Sequence, residues 1–166
     1  MARLQLAIEQ IVFARSYTMR LLDAVKEEDW FRQPREGVTH LAWQIGHLAM
    51  AQYRLGLERI RGNRPDDALL ISEHFLHLFG RNSVPDVDAT KYPPAAEIRA
   101  VFDRVHRQLL QELPSISEAD LDSPLLKPHA LARTKLWSLL WCAQHEMVHA
   151  GQIGLLRRLL GYAPLW

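Results

Sequence analysis

His145 and His149 stand four residues apart in the stretch Gln144-His145-Glu146-Met147-Val148-His149-Ala150-Gly151-Gln152-Ile153. If that stretch is an α-helix, the two imidazoles share one face and lie roughly 5–6 Å apart, about one turn. The spacing lets both grip a single metal ion. Such a pair can also be ordinary surface or ordinary core. Here it lies among Trp137, Leu139, Leu140, Trp141, Ile153, Leu155 and Leu156. Burying two unpaired imidazoles in that company costs free energy unless each nitrogen finds a partner, which a metal would supply. A third ligand must come from elsewhere, and the best candidate is His47 in Trp43-Gln44-Ile45-Gly46-His47-Leu48. His40 lies seven residues earlier on nearly the same side, but about 10 Å away along a helix axis. One ion cannot easily take both. His47 is two turns inside its helix, whereas His40 is expected at the exposed start.

Composition bounds the frame that must hold these residues. The chain has 166 residues, which favours one domain over 1–166 with a sizeable core. Hydrophobic residues make up 48 % and charged ones 23 %, an ordinary globular mixture. Twenty Lys and Arg face nineteen Asp and Glu, so charge gives no reason to expect nucleic acid or an acidic membrane as partner. Cys142 is the single cysteine and excludes an intrachain disulfide. Gln5, Glu9 and Gln10 break any apolar run at the start, which reads as no signal peptide. No stretch is long and apolar enough for a membrane span, and a cytoplasmic location is the expectation.

The pattern along the chain is helical. A first helix is expected over residues 2–25, with Leu4, Ile8, Ile11, Arg15, Thr18, Leu22 and Val25 at the spacing of one face. Arg15 and Thr18 interrupt that stripe. The plain reading is a stripe slightly misdrawn, with Val12 and Met19 taking the core; the alternative is a polar cavity halfway along. Thr39 looks like the N-cap of a second helix that runs to Arg61, before Gly62-Asn63 and Pro65. Residues 64–92 form a long crossover with a short helical piece near 72–79. Its His74 and His77 read as surface residues. A third helix follows Pro93-Pro94, with Ile98, Val101, Phe102, Val105, Leu109 and Leu113 as its stripe, and Pro114 ends it. After a second connector, Thr134 caps a fourth helix that stops at Gly161. No run alternates as a strand would. The pattern predicts an all-α protein, a four-helix bundle with a long crossover between helices 2 and 3.

On a wheel of the fourth helix, Ser138, Cys142, His145, His149 and Leu156 share a side, with Gln152 beside them and Glu146 further round. Cys142 is a conceivable ligand, though a lone cysteine there reads more simply as a small core residue. Gln152 could orient a ligand from behind, or stand as an exposed helix glutamine. His145-Glu146-Met147-Val148-His149 spells the H-E-x-x-H motif of zinc proteases. Those enzymes take their remaining ligand from downstream, and residues 150–166 contain no His, Asp or Glu. Any ligand set here must be completed from upstream.

Gly46-His47-Leu48-Ala49, followed about a hundred residues later by His145 and His149-Ala150-Gly151-Gln152-Ile153, resembles the DinB/YfiT-like superfamily. The likeness spans essentially the whole chain, crossover included. It implies a four-helix bundle, often a homodimer, with a divalent metal held by His47, His145 and His149. Members with an activity resemble metal-dependent transferases or isomerases that use low-molecular-weight thiols. The chemistry is coherent, because three neutral imidazoles leave the metal dipositive with positions open for water or sulfur. A thiol held there loses its proton more readily. The expected function is therefore transfer of a small thiol to a small-molecule substrate. The alternatives are a hydrolase that uses a metal-activated water and a non-catalytic metal-binding, stress-response module. Zinc, nickel, iron and manganese all suit the donor set. No other His, Asp or Glu is clearly placed as a general base. Arg54, seven residues after His47, could meet an anionic cofactor or simply be solvated.

Overall fold

The apolar run carrying His145 and His149 folds as one helix because both ends are signalled. Thr134, in an extended conformation, accepts the Trp137 amide on its hydroxyl at 3.4 Å. At the far end Gly161 takes φ +94°, and the Tyr162 amide closes back on the Arg157 carbonyl at 2.9 Å. The structure, a computed structural model, describes residues 2–165. The long helices are α1 (Arg3–Leu22), α2 (Leu41–Gln52), α5 (Ala95–Glu112) and α6 (Lys135–Leu159). Two short ones, α3 (Asp67–Leu70) and α4 (Glu73–Leu78), lie in the crossover between α2 and α5. There is no strand among the described residues; Pro124 and Thr134 form an isolated bridge. The protein is the all-α bundle its periodicity predicts.

α1 packs along α6, and α2 packs against both α5 and α6. The α5 stripe Ile98, Val101, Phe102, Val105 and Leu109 is buried as predicted. Every residue of α2 except Trp43 is buried, because the crossover closes over it as well. Phe75 and Phe79 supply that cover, their rings 4.5 Å apart. Past Gln52 the helix continues but widens: Tyr53–Glu58 is π-helical and Arg59–Arg61 is α-helical again. A widened turn leaves backbone groups in want of partners. The Leu55 carbonyl finds one in the buried Ser138 hydroxyl of α6, at 2.8 Å. No helix among the described residues is long and apolar enough to cross a membrane.

Two expectations about polar residues are corrected. Arg15 and Thr18 are buried, at 5 % and 0 % exposure, whereas Val12 is 42 % exposed. The stripe drawn through Arg15 is the buried face, because partners await it: Glu146, Gln52 and the Phe102 carbonyl all accept from the guanidinium. The N-cap of α2 is His40 rather than Thr39, and it is fully buried. Its Nδ1 accepts the Trp43 amide at 3.1 Å, and its ring sits against Phe31 and Tyr92. Burial pushes this imidazole down to about 4. His74 and His77 are exposed, as expected.

Candidate metal centre

α2 and α6 bring His47, His145 and His149 together, with one nitrogen of each within 4.8 Å of the others. Ring centroids are 4.5 Å apart for His145 and His149, 4.8 Å for His47 and His149, and 5.4 Å for His47 and His145. His40 is outside this group.

Two of the rings are aimed by hydrogen bonds. His47 Nδ1 donates to the Phe79 carbonyl at 2.9 Å, and Trp43 stacks on the ring at 4.7 Å. His149 Nδ1 donates to Gln44 Oε1 at 2.5 Å. Gln44 is held in turn by its amide nitrogen, which donates to Gln152 Oε1 at 3.0 Å and Thr39 Oγ1 at 3.3 Å. A carbonyl acceptor at Nδ1 fixes the proton there and leaves Nε2 with a free lone pair. Gly46 makes the His47 contact possible. A Cβ at that position would stand 2.4 Å from the Phe79 ring, so only glycine lets the crossover backbone come down beside His47.

Burial lowers all three imidazoles: His145 to about 4, His149 to about 3, and His47 in the same direction, with neighbouring histidines adding to the first two. They are neutral near pH 7, as metal ligands must be. A tetrahedral zinc site with bonds of about 2.0–2.1 Å sets nitrogens about 3.4 Å apart. The three nitrogens, within 4.8 Å of one another, lie near enough for one ion to join them. The donor set fits a divalent ion.

The sequence profile of the DinB superfamily matches residues 10–153, a span that includes all three histidines. The chain belongs to the DinB superfamily. No curated protein matches it. Membership and the histidine cluster together fit metal binding.

In this DinB bundle the other residues of the H-E-x-x-H stretch look elsewhere. Glu146 is 2 % exposed and faces Arg15 at 2.9 Å, so the protease motif has no carboxylate beside the histidines. Cys142 is buried outside the cluster, where desolvation and then the Glu146 charge push its thiol up to about 12. It is a core residue. Gln152 is exposed on the helix, yet it supports His149 through Gln44, so both descriptions offered by the sequence hold at once.

A cleft of about 450 Å³ reaches His47 and His145 from outside. Met50, Leu55 and Trp141 form its apolar wall, and Arg54, Arg59, Arg81 and His129 its polar one. Sequence reasoning missed His129. Its Nδ1 accepts the amides of Leu131 and Ala132, at 3.3 and 3.1 Å, which leaves the proton on Nε2. The available signal was slight: one histidine after Pro128, in a connector that must fold back to start α6.

Proposed function

We propose that this DinB-superfamily protein binds one divalent ion through His47, His145 and His149 and transfers a low-molecular-weight thiol to a small electrophilic substrate. The observation that carries this reading is the one-sided site. Three neutral imidazoles converge, Cys142 and Glu146 turn away, and the fourth side adjoins a cleft large enough for a small molecule. When bound, the ion would lower the pKa of a thiol that reaches it, as metals do for coordinated thiols. Phe79 and Gln44 hold the rings in register, and Met50, Leu55 and Trp141 keep water from the sulfur. In the reaction the acidified thiol's S–H bond breaks, its proton passing to solvent water, and sulfur bonds to the electrophilic carbon. The leaving group departs with its electron pair and takes up a proton from solvent water, with the His129 Nε2–H placed to hydrogen-bond to it.

Zinc, nickel, iron and manganese remain the candidate ions. The cleft favours sulfur over hydrolytic water in one respect: no Asp or Glu lines it, and His129 Nδ1 is occupied by backbone amides, so no base waits for a water proton. The test uses the cobalt-substituted protein. Adding the right thiol is expected to produce a sulfur-to-cobalt charge-transfer band, which persists in Cys142→Ser. Transfer to a model electrophile should then need both metal and thiol. Ester or amide cleavage without thiol dependence would instead make the protein a hydrolase. Silence in both assays, with melting on metal removal, would make the ion structural.

We also propose a homodimer formed through α1 and α6. Leu6, Phe13 and Val148 are 45 %, 62 % and 55 % exposed and line one open groove with Met147. An apolar groove of this kind is characteristic of an interaction face, and a second copy would bury it by twofold symmetry. Sedimentation should show a dimer that Phe13→Asp converts to monomer. A monomeric wild type at high concentration rules the interface out.

A further inference from the structure

Three arginines line the cleft beside the histidine cluster, and no acid lines it with them. Arg54 and Arg59 come from the widened end of α2, and Arg81 from the turn after α4. On an α-helix, residues five apart point about 140° away from each other. The π-helical turn is hydrogen-bonded i to i+5, which stacks such residues and turns both Arg54 and Arg59 to the cleft. Arg81 is placed by its neighbour Ser83, whose hydroxyl takes the Trp43 indole N–H at 2.9 Å; Trp43 is the residue stacked on His47.

Arg61 shows what an arginine does here when an acid is in reach: it binds Asp67 and Glu112, each at 2.7 Å. The side chains of Arg54, Arg59 and Arg81 make no ion pair or hydrogen bond among the described residues, and no Asp or Glu lines the cleft. The Arg59 Nε is fully buried and has no acceptor. A buried N–H left unpaired is costly, and it marks a place where an acceptor belongs. His129 adds a fourth donor through Nε2. Burial lowers the Arg59 guanidinium; the charge of Glu58, itself paired with Lys127, opposes this, and the Arg54 charge adds to it.

We propose that the cleft takes a small molecule bearing an oxyanion, a carboxylate or a phosphate, held by Arg54, Arg59, Arg81 and the His129 Nε2–H. Planar guanidinium forks match both groups. The proposal deepens the functional reading above by giving the substrate or thiol a negative end, and it rests on that reading for the end that meets the histidines.

The experiment titrates inorganic phosphate and glutarate, separately, into the full chain, once stripped of metal and once zinc-loaded. Calorimetry and the Arg59 Nε–H resonance report binding. At least one anion is expected to saturate the metal-stripped protein and shift that resonance. Affinity should fall roughly tenfold or more in Arg59→Gln and in Arg81→Gln, as expected when a charge-assisted contact is lost, and added salt should weaken it. Preference for glutarate identifies a carboxylate carrier, and preference for phosphate a phosphate ester. Because Arg81 is exposed, its variant keeps the test clear of folding effects. If neither anion moves the Arg59 resonance, or both variants bind as tightly as wild type, the proposal is overturned. The metal-stripped arm separates this result from the thiol reading, which can fail while anion binding stands.

Discussion

The His149→Ala protein is expected to hold no stoichiometric metal under loading conditions that saturate the wild type. His149 is buried and central: its ring is the near neighbour of both other histidines, and its Nδ1–H is spent on Gln44. Removing it leaves two ligands on different helices with nothing to hold an ion between them. His145→Ala and His47→Ala should behave alike, while Gln44→Leu keeps all three ligands and should lose about 10–100-fold in affinity through disordered ring orientation. Competition against a chromophoric chelator measures each value. Full occupancy in any single His→Ala protein removes that residue from the set. The same burial gives the metal-free protein a pH dependence. In the folded chain His145 titrates at about 4 and His149 at about 3, against 6.5 when free. The unfolded chain therefore binds more protons in that window. Stability is full above 6.5 and is lost as pH falls toward the folded values. Melting temperature should follow this slope, and His149→Ala should lessen it, with His40, His106 and His145, likewise lowered, keeping the remainder.

The bundle and the shared face of His145 and His149 were legible because both depend on local period. His145 and His149 announce their shared face by spacing alone, and the α5 stripe from Ile98 to Leu109 is buried as written. Thr134 and Gly161 mark α6 by their own backbone preferences. What escaped depends on partners distant in sequence. Arg15 reads as an interruption until Glu146 is brought to it across 131 residues. His40 reads as an exposed residue at the start of its helix until Phe31 and Tyr92 close over it. The π-helical turn has no pattern of its own, since Leu55 and Ser138 stabilise it only after α2 and α6 meet. Arg59 and His129 enter the cleft through that turn and through a folded-back connector, so α-helical spacing could not place them.

Glu146→Ala is expected to cost about 3–5 kcal/mol of stability, the usual penalty for leaving one partner of a buried ion pair alone. For a chain of this size that lowers the melting temperature by roughly 10–15 °C. Arg15 and Glu146 are 5 % and 2 % exposed, joined at 2.9 Å, and lie between α1 and α6. Gln52, the Phe102 carbonyl and the Phe102 ring, 3.3 Å from the guanidinium carbon, would still satisfy Arg15's geometry. None of them carries a charge to neutralise it. The double variant Arg15→Met, Glu146→Leu replaces both charges by apolar groups of similar length and should recover most of the loss. Metal affinity is the decisive second readout, because the two meanings of His-Glu-x-x-His diverge there. A protease glutamate could be removed with fold and metal intact, at the expense of catalysis. Here the folded fraction of Glu146→Ala should bind metal nearly as the wild type does, while its thermal transition moves down. A variant that melts like wild type but loses hydrolysis would return Glu146 to the site.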